Sequence, residues 1–345
     1  MNVAICTTMV SFHDGGANQL VEWLDAALTE RGHDVEVIWI PSVDTPSALY
    51  RQMMAIRMLD LSAAERVICV RPQSHFVRHP NKVVWFIHHV RPFYDLWDTE
   101  LRGFPDDARH RAMRDEIRRC DTIALAEAER LFTNSRVVSE RLSTFNGLDS
   151  DVLYPPIRDP ERFTTTGWND EIVYVSRLYP AKRQHLLVEA LARTTTPVRV
   201  RLVGTGGPGN PYTADLRRRV RALGLEGRVA LDDRWVAEHE KVAAVNGCLA
   251  SAYLPHDEDS YGYPTLEAAH AGKPTLTTTD SGGVLEFAAH GVNAEIVEPD
   301  PSALAAAMDR LYADRERSLR LGAAARERID ELGIDWDHVI ESLLA

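Results

Sequence analysis

Short apolar runs alternate along the chain with longer stretches whose apolar positions return every three or four residues. The first run, Val3 to Thr8, reads as a buried strand. A polar loop, Val10 to Ala17, carries Gly15-Gly16, and Asn18 to Arg31 has helical spacing that stops at Gly32. A second strand, Val35 to Ile40, completes a βαβ unit. Further strands are predicted at Val67 to Val70, Val83 to Ile87, Leu131 to Phe132 and Val152 to Leu153, with a long charged helix over Ala108 to Glu129. Tyr154-Pro-Pro-Ile-Arg-Asp-Pro160 and Thr164 to Asp170 then break the pattern as a linker.

From Glu171 to Ser176 the alternation resumes. Strands are predicted at Val198 to Val203, Arg228 to Leu231, Cys248 to Leu254, Pro274 to Thr277 and Ala294 to Val297. Between and after them stand helices Arg183 to Arg193, Tyr212 to Leu223, Ala237 to Gly247, Thr265 to Ala271, Val284 to His290 and Ser302 to Tyr312. Arg315 to Glu331 and Trp336 to Leu344, the latter capped by Asp335, are expected to brace the two halves. The fold class is therefore α/β, with two Rossmann-like parallel domains facing a central cleft. Their expected bounds are residues 1–155 and 156–330, and residues 331–345 return to brace the first.

Composition narrows the function. A chain of 345 residues exceeds what one core usually fills. A net charge of −12 argues against a non-specific hold on nucleic acid, yet leaves room for an acidic metabolite held by local cations. The N-terminus lacks the basic lead of a signal peptide and no apolar run reaches a membrane span, so a cytoplasmic chain is expected, with at most peripheral contact at the inner face of the membrane. Arg111, Arg114, Arg118 and Arg119, offset by Asp115 and Glu116, fit a solvated helix face or a patch for an anionic acceptor or membrane surface. Cys6, Cys69, Cys120 and Cys248 stand singly and read as buried small hydrophobes, not as metal ligands or disulfides.

The richest segment runs from Tyr253 through Asp259, Ser260, Tyr261 and Gly262 to Glu267. A strand leads into an acidic loop, and Pro264 is expected to open a helix with Glu267 in its first turn, kept ionised by the helix dipole. Two carboxylates eight positions apart suit the hydroxyls of a sugar or ribose. Arg177 and Lys182 follow another strand, and a lysine at a helix start opposes the dipole unless an anion sits there. Two converging cations would neutralise a diphosphate; an exposed loop with surface charges is the plainer reading. Gly204, Gly206 and Gly209 form a G-x-G-x-x-G, but Pro208 removes an N–H and the motif opens no dinucleotide domain, so a flexible loop or the floor of a nucleotide pocket both fit. Gly282-Gly283 after a strand could present an amide nest. Of the adjacent His88 and His89, one is expected to face a pocket, while His13, His75 and His79 give no metal spacing.

Taken jointly, these motifs resemble the retaining glycosyltransferases of family four, which have the two-domain GT-B fold. The likeness spans nearly the whole chain, from Gly15-Gly16 through His88-His89, Arg177 to Lys182-Arg183, Gly204 and Asp259 to Glu267, ending at Ser281 to Glu286. It implies transfer of a hexosyl group from a UDP- or GDP-sugar to a hydroxyl of a glycan, lipid-linked or small-molecule acceptor. It implies that Glu267 holds the ribose, that Arg177, Lys182 and the amides of Gly15 or Gly16 grip the diphosphate, and that Asp259 binds the donor sugar. Backbone groups of Ser260 to Gly262 and of Gly282 to Gly283 would help, His88 would reach the sugar, and Asp232 to Trp235 would line the base pocket. Asp259 stands where the family usually has Glu, and Glu258 is a second claimant if the loop is bulged by one residue. The resemblance further implies front-face attack with a leaving phosphate oxygen taking the proton, no permanently bound cofactor and no essential metal. The N-terminal domain would bind acceptor, through loops such as Ser42 to Leu49 and Gln73 to Asn81. A nucleotide-sugar 2-epimerase, a phosphorylase and a non-catalytic sugar-binding protein are the competing readings, and product analysis separates them.

Overall fold

Ten strand pairings, all parallel, organise the chain into two six-stranded sheets. The structure is a computed structural model that describes residues 1–10, 15–43 and 45–345; His13 and Asp44 lie outside the described residues. The first sheet holds β1 (Asn2–Met9), β2 (Asp34–Pro41), β3 (Arg66–Cys69), β4 (Lys82–Phe86), β5 (Arg130–Thr133) and β6 (Asp151–Val152), in the order β2-β1-β3-β4-β5-β6. Its helices are α1 (Gly16–Glu30), α2 (Pro46–Arg57), α3 (Ala108–Ala126) and α4 (Arg136–Asn146). The second sheet holds β7 (Glu171–Val175), β8 (Arg199–Val203), β9 (Val229–Asp232), β10 (Ala250–Ala252), β11 (Thr275–Thr278) and β12 (Ala294–Val297), in the order β12-β11-β10-β7-β8-β9. Around it run α5 (Gln184–Leu191), α6 (Pro211–Ala222), α7 (Glu238–Gly247) and α8 (Tyr263–His270), then α9 (Val284–Phe287), α10 (Pro301–Ala313) and α11 (Arg315–Glu331). A last helix, α12 (Trp336–Leu344), closes the chain.

The chain divides into a first unit of Met1–Pro156 with Ile334–Ala345 and a second of Ile157–Gly333. Asp335 caps α12 by accepting from the His338 amide at 2.7 Å. Val339, Ile340 and Leu343 of α12 then join Leu20, Leu24 and Leu28 of α1 and Ile5, Val83 and Trp85 in one buried cluster. Arg66 and Arg130 fix the same helix through carbonyls of Leu344, Ala345 and Ser342. The second unit has its own core, in which Leu187, Leu191, Leu202, Leu304 and Met308 are fully buried.

The structure departs from the expected elements in instructive places. β10 keeps only three residues of the predicted Cys248 to Leu254, because the Leu254 amide donates to the Tyr174 hydroxyl at 2.9 Å rather than to a neighbouring strand. Pro46 begins a helix inside the segment expected as an acceptor loop. Gln73 sits at φ 72°, and Ser74, His75 and Phe76 form a buried turn where an open polar loop was expected. Neither α2 nor α4 was anticipated: each buries a single narrow line of apolar side chains, Leu49, Met53 and Ile56 in one, Val138 and Leu142 in the other.

α11 packs against the end of α8 at Gly322, where a Cβ would lie 1.9 Å from the Gly272 carbonyl oxygen. Gly322→Ala is expected to destabilise the second unit by about 2–3 kcal/mol through overpacking. This outweighs the roughly 1 kcal/mol that alanine gains in a helix interior. The midpoint of urea unfolding measures it, and an unchanged or higher midpoint contradicts it.

Candidate active site

The second sheet reverses its order between β7 and β10: β8 and β9 extend to one side of β7, and β10, β11 and β12 to the other. Loops leaving two such strands diverge, and the crevice outside their carboxyl ends is where open parallel sheets take ligands. The second-half residues singled out above leave this edge. Arg177 and Lys182 follow β7, Gly204 follows β8 and Trp235 follows β9. Asp259, Ser260, Tyr261 and Gly262 follow β10, Glu267 lies within α8, and Gly282 and Gly283 follow β11. Gly15, Gly16 and His88 leave β1 and β4 at the corresponding edge of the first sheet, in the other unit.

Close backbone packing holds the edge together. Gly282 has φ 62°, and a Cβ there would lie 2.5 Å from the Glu258 carbonyl oxygen. A Cβ on Gly283 would sit 2.7 Å from Ser260 Cα, and one on Gly262 2.3 Å from the Tyr253 ring. Gly204, φ 141°, passes so near the Ser176 carbonyl that a Cβ would stand 2.0 Å away. These glycines are required by contact between loops. The expected amide nest is corrected in part, since the Gly283 N–H is spent on the Glu258 carbonyl at 2.8 Å. Gly15 caps α1 in an extended conformation, φ −176°, which any residue adopts.

Lys182 does not stand at the start of α5 as an unanswered charge. It ends a short turn, Pro180–Lys182, and its ammonium pairs with the Glu258 carboxylate, donates to the Tyr253 hydroxyl at 2.8 Å and lies 5.0 Å from that ring's centre. Lys182 thus needs no bound anion to offset the helix dipole, because Glu258 supplies the counter-charge. Glu258, not Asp259, is the carboxylate on the lysine. Arg177 is exposed, its carbonyl held by Gln184 Nε2 at 2.9 Å. Next to Lys182, Arg183 adopts a left-handed conformation, φ 53°. Its guanidinium donates to the Leu254 and Pro255 carbonyls at 2.8 Å, to Thr278 Oγ1 at 2.9 Å and to both Asp280 oxygens at 2.7 Å. Burial alone would raise the Asp280 pKa, but hydrogen bonds from Arg183 and Thr278 bring it down to about 2.

Glu267 is also corrected. Pro264 is the second residue of α8 and Glu267 the fifth, past the first turn. Burial pushes its carboxyl above the ordinary value, and Lys241 on α7 pulls against that shift. Lys241 Nζ donates to Oε1 at 2.6 Å, and Oε2 has no partner among the described residues. Lys241 carried no motif in the sequence; only the fold brings it to Glu267.

Four buried polar atoms without a protein partner gather at this edge: Gln184 Oε1, Thr213 Oγ1, Thr265 Oγ1 and Glu267 Oε2. They sit in the first two turns of α5, α6 and α8; among the described residues of the second unit, the other such atom is Arg328 Nε. Buried polar groups are nearly always paired by protein or ordered water, so four such atoms at helix starts along one edge suit water or a polar ligand there. A cavity of about 380 Å³ opens beside it, lined by Thr205, Asn210, Thr213, Arg217 and Asp233. Trp235 is 67% exposed beyond β9.

In the first unit, burial lowers the His89 pKa to about 4, and its ring rests on Tyr94 with Nε2 2.9 Å from Asn146 Oδ1. His88 is half-buried, and its Nδ1 lies 2.6 Å from the His89 carbonyl. Only a protonated Nδ1 can donate there, which leaves Nε2 of the neutral ring as an acceptor. Among the described residues no group of three or more His, Cys, Asp or Glu is placed to hold a metal, and no helix is long and apolar enough to cross a membrane.

Two parallel α/β units, the second with these loops at its strand-order reversal, match the GT-B fold of glycosyltransferases. Residues 160–328 match the model of the family described as Glycosyl transferases group 1. It is 24% identical over 310 residues to human alpha-1,3/1,6-mannosyltransferase ALG2, covering 82% of this chain and 72% of that one. To the D-inositol 3-phosphate glycosyltransferase of Geodermatophilus obscurus it is 29% identical over 248 residues, 64% of this chain and 52% of the relative. Its fold matches that of Anabaena HepE, solved with UDP and glucose, at a TM-score of 0.70 and 19% identity over 99% of both chains.

Arg183→Gly tests what the left-handed residue does. Glycine removes the backbone strain, worth about 1 kcal/mol or more, yet forfeits five hydrogen bonds, two of them to a carboxylate. A net loss of about 2–3 kcal/mol is expected by denaturant unfolding; a gain in stability would show that strain outweighs the clamp.

Proposed function

We propose that the chain is a retaining hexosyltransferase that takes its sugar from a UDP- or GDP-linked donor and passes it to a hydroxyl of a glycan, lipid-linked or small-molecule acceptor. The observation that carries the reading is the gathering of unpartnered buried polar atoms with Arg177, Lys182, Asp259 and Glu267 at the strand-order reversal. UDP and glucose bound to HepE and the mannosyl transfer in the name of ALG2 support the donor class.

In this reading Glu267 accepts from the ribose, and Arg177 and Lys182 neutralise the diphosphate as it leaves. Lys182 exchanges Glu258 for a phosphate oxygen. Asp259, with the backbone of Ser260 to Gly262 and of Gly282, orients the donor sugar, and Gly204 and Trp235 border the base. Gly15, Gly16 and His88 of the first unit, the proposed acceptor-binding domain, complete the assignment. His88 offers an acceptor nitrogen to a sugar hydroxyl. The leaving phosphate oxygen takes the acceptor's proton, so no separate base is required. Two fixed cations stand in for a metal at the diphosphate, and turnover is expected to persist in EDTA.

A thermal-shift screen of UDP- and GDP-sugars tests the donor class, since a ligand bound only by the folded state raises the melting temperature. No shift with any nucleotide sugar sinks the proposal. Arg177→Ala and Lys182→Ala are each expected to lower kcat/KM about 100-fold, the scale of one lost donor to transition-state charge. Asp259→Ala should degrade discrimination among donor sugars while leaving affinity for bare nucleoside diphosphate within about 2-fold, a difference of ~0.4 kcal/mol. Equal losses on both would contradict the role given to Asp259.

A further inference from the structure

Lys241 and Glu267 come from different helices, and their contact is asymmetric. Lys241 Nζ holds Oε1 at 2.6 Å, while Oε2 faces no protein donor. Both side chains are enclosed: 14% of the lysine and 5% of the glutamate are exposed. Glu238, one turn earlier on α7, touches the same ammonium at 3.0 Å, and the Phe163 ring centre lies 5.7 Å away. The lysine is therefore fixed from three sides, and it selects which buried carboxylate oxygen stays unpaired.

A carboxylate enclosed in this way sheds its charge by protonation unless a cation holds it. The charged groups facing Glu267 are Lys241, Glu238 and Arg162; burial and Glu238 raise its pKa, Lys241 and Arg162 lower it. Burial also works against the Lys241 charge, but Glu267 and Glu238 outweigh it, so the ammonium stays above its ordinary value. An ionised acceptor with one open oxygen suits a hydroxyl donor and penalises a ligand that lacks one, since the charge is then left desolvated and unmet.

Building on the donor site proposed above, we infer that Lys241 is a positioning residue that sets Glu267 as a receptor for a ribose hydroxyl, so that preference for ribonucleoside over deoxyribonucleoside diphosphates depends on Lys241. It does not touch the ligand; it acts through Glu267.

The test is calorimetric titration of UDP, GDP and their 2′-deoxy and 3′-deoxy counterparts into the wild-type chain and the variants K241M, K241Q, K241R and E267Q. Wild type is expected to prefer the ribonucleotide over at least one deoxy form by about 10- to 100-fold, the scale of a hydrogen bond to a charged group. K241M and E267Q should bring that ratio below about 3-fold, within ~0.7 kcal/mol of no preference, and K241R should restore it. K241Q guards against misfolding of K241M. It donates to Oε1 without charge, so the Glu267 pKa rises, and the ribose preference should survive at high pH and fade as pH drops, earlier than in wild type. If folded K241M or K241Q keeps the wild-type ratio throughout that range, Lys241 is a packing residue only and the inference is overturned. Tight UDP or GDP binding by wild type without ribose preference overturns it while the donor reading stands. Binding of neither nucleotide overturns the donor reading and this inference together.

Discussion

Arg183 ties the ends of three neighbouring strands into one piece. From the turn after β7 its guanidinium reaches the carbonyls that end β10 and the side chains of Thr278 and Asp280 at the end of β11. The loop that carries Glu258 to Gly262 and the turn that carries Gly282 and Gly283 can approach without Cβ atoms because this tie fixes their roots. Lys182, one residue earlier, is aimed by the same constraint. The left-handed backbone at Arg183 is the local cost of bringing a side chain to three strands at once.

The edge is electrically assembled before any ligand arrives. Lys182 pairs with Glu258, Arg183 with Asp280 and Lys241 with Glu267. Partly buried cations of this kind need partners, and breaking one such pair costs more than never having built it. The diphosphate proposed at Lys182 would therefore exchange one anion for another.

Much of this was legible in the sequence, and the limits have physical causes. Alternation of buried strands and amphipathic helices gave the two parallel sheets, since strands covered on both faces read as unbroken apolar runs. The motif positions fell at strand ends because Gly, Pro and charged residues interrupt those runs. What failed was pairing between distant segments. Nothing near Lys241 announces that α7 packs its lysine against α8, and nothing near Glu258 says that a lysine 76 positions earlier will claim it. The helix-end arguments for Lys182 and Glu267 erred by a residue or two, which is enough to move a charge off the dipole. Gly283 read as a ligand-facing amide, whereas its N–H is taken by the Glu258 carbonyl, and the missing side chains of both Gly282 and Gly283 serve loop contact.

The first unit is discontinuous along the chain. Its final helix, α12, supplies Val339, Ile340 and Leu343 to the cluster around Leu24 and Trp85, yet it is separated from the rest of that cluster by all of Ile157–Gly333. A ribosome working from the N-terminus thus releases a sheet whose apolar wall stays open until the whole second unit has been made. The first unit is therefore completed only after the second has been synthesised.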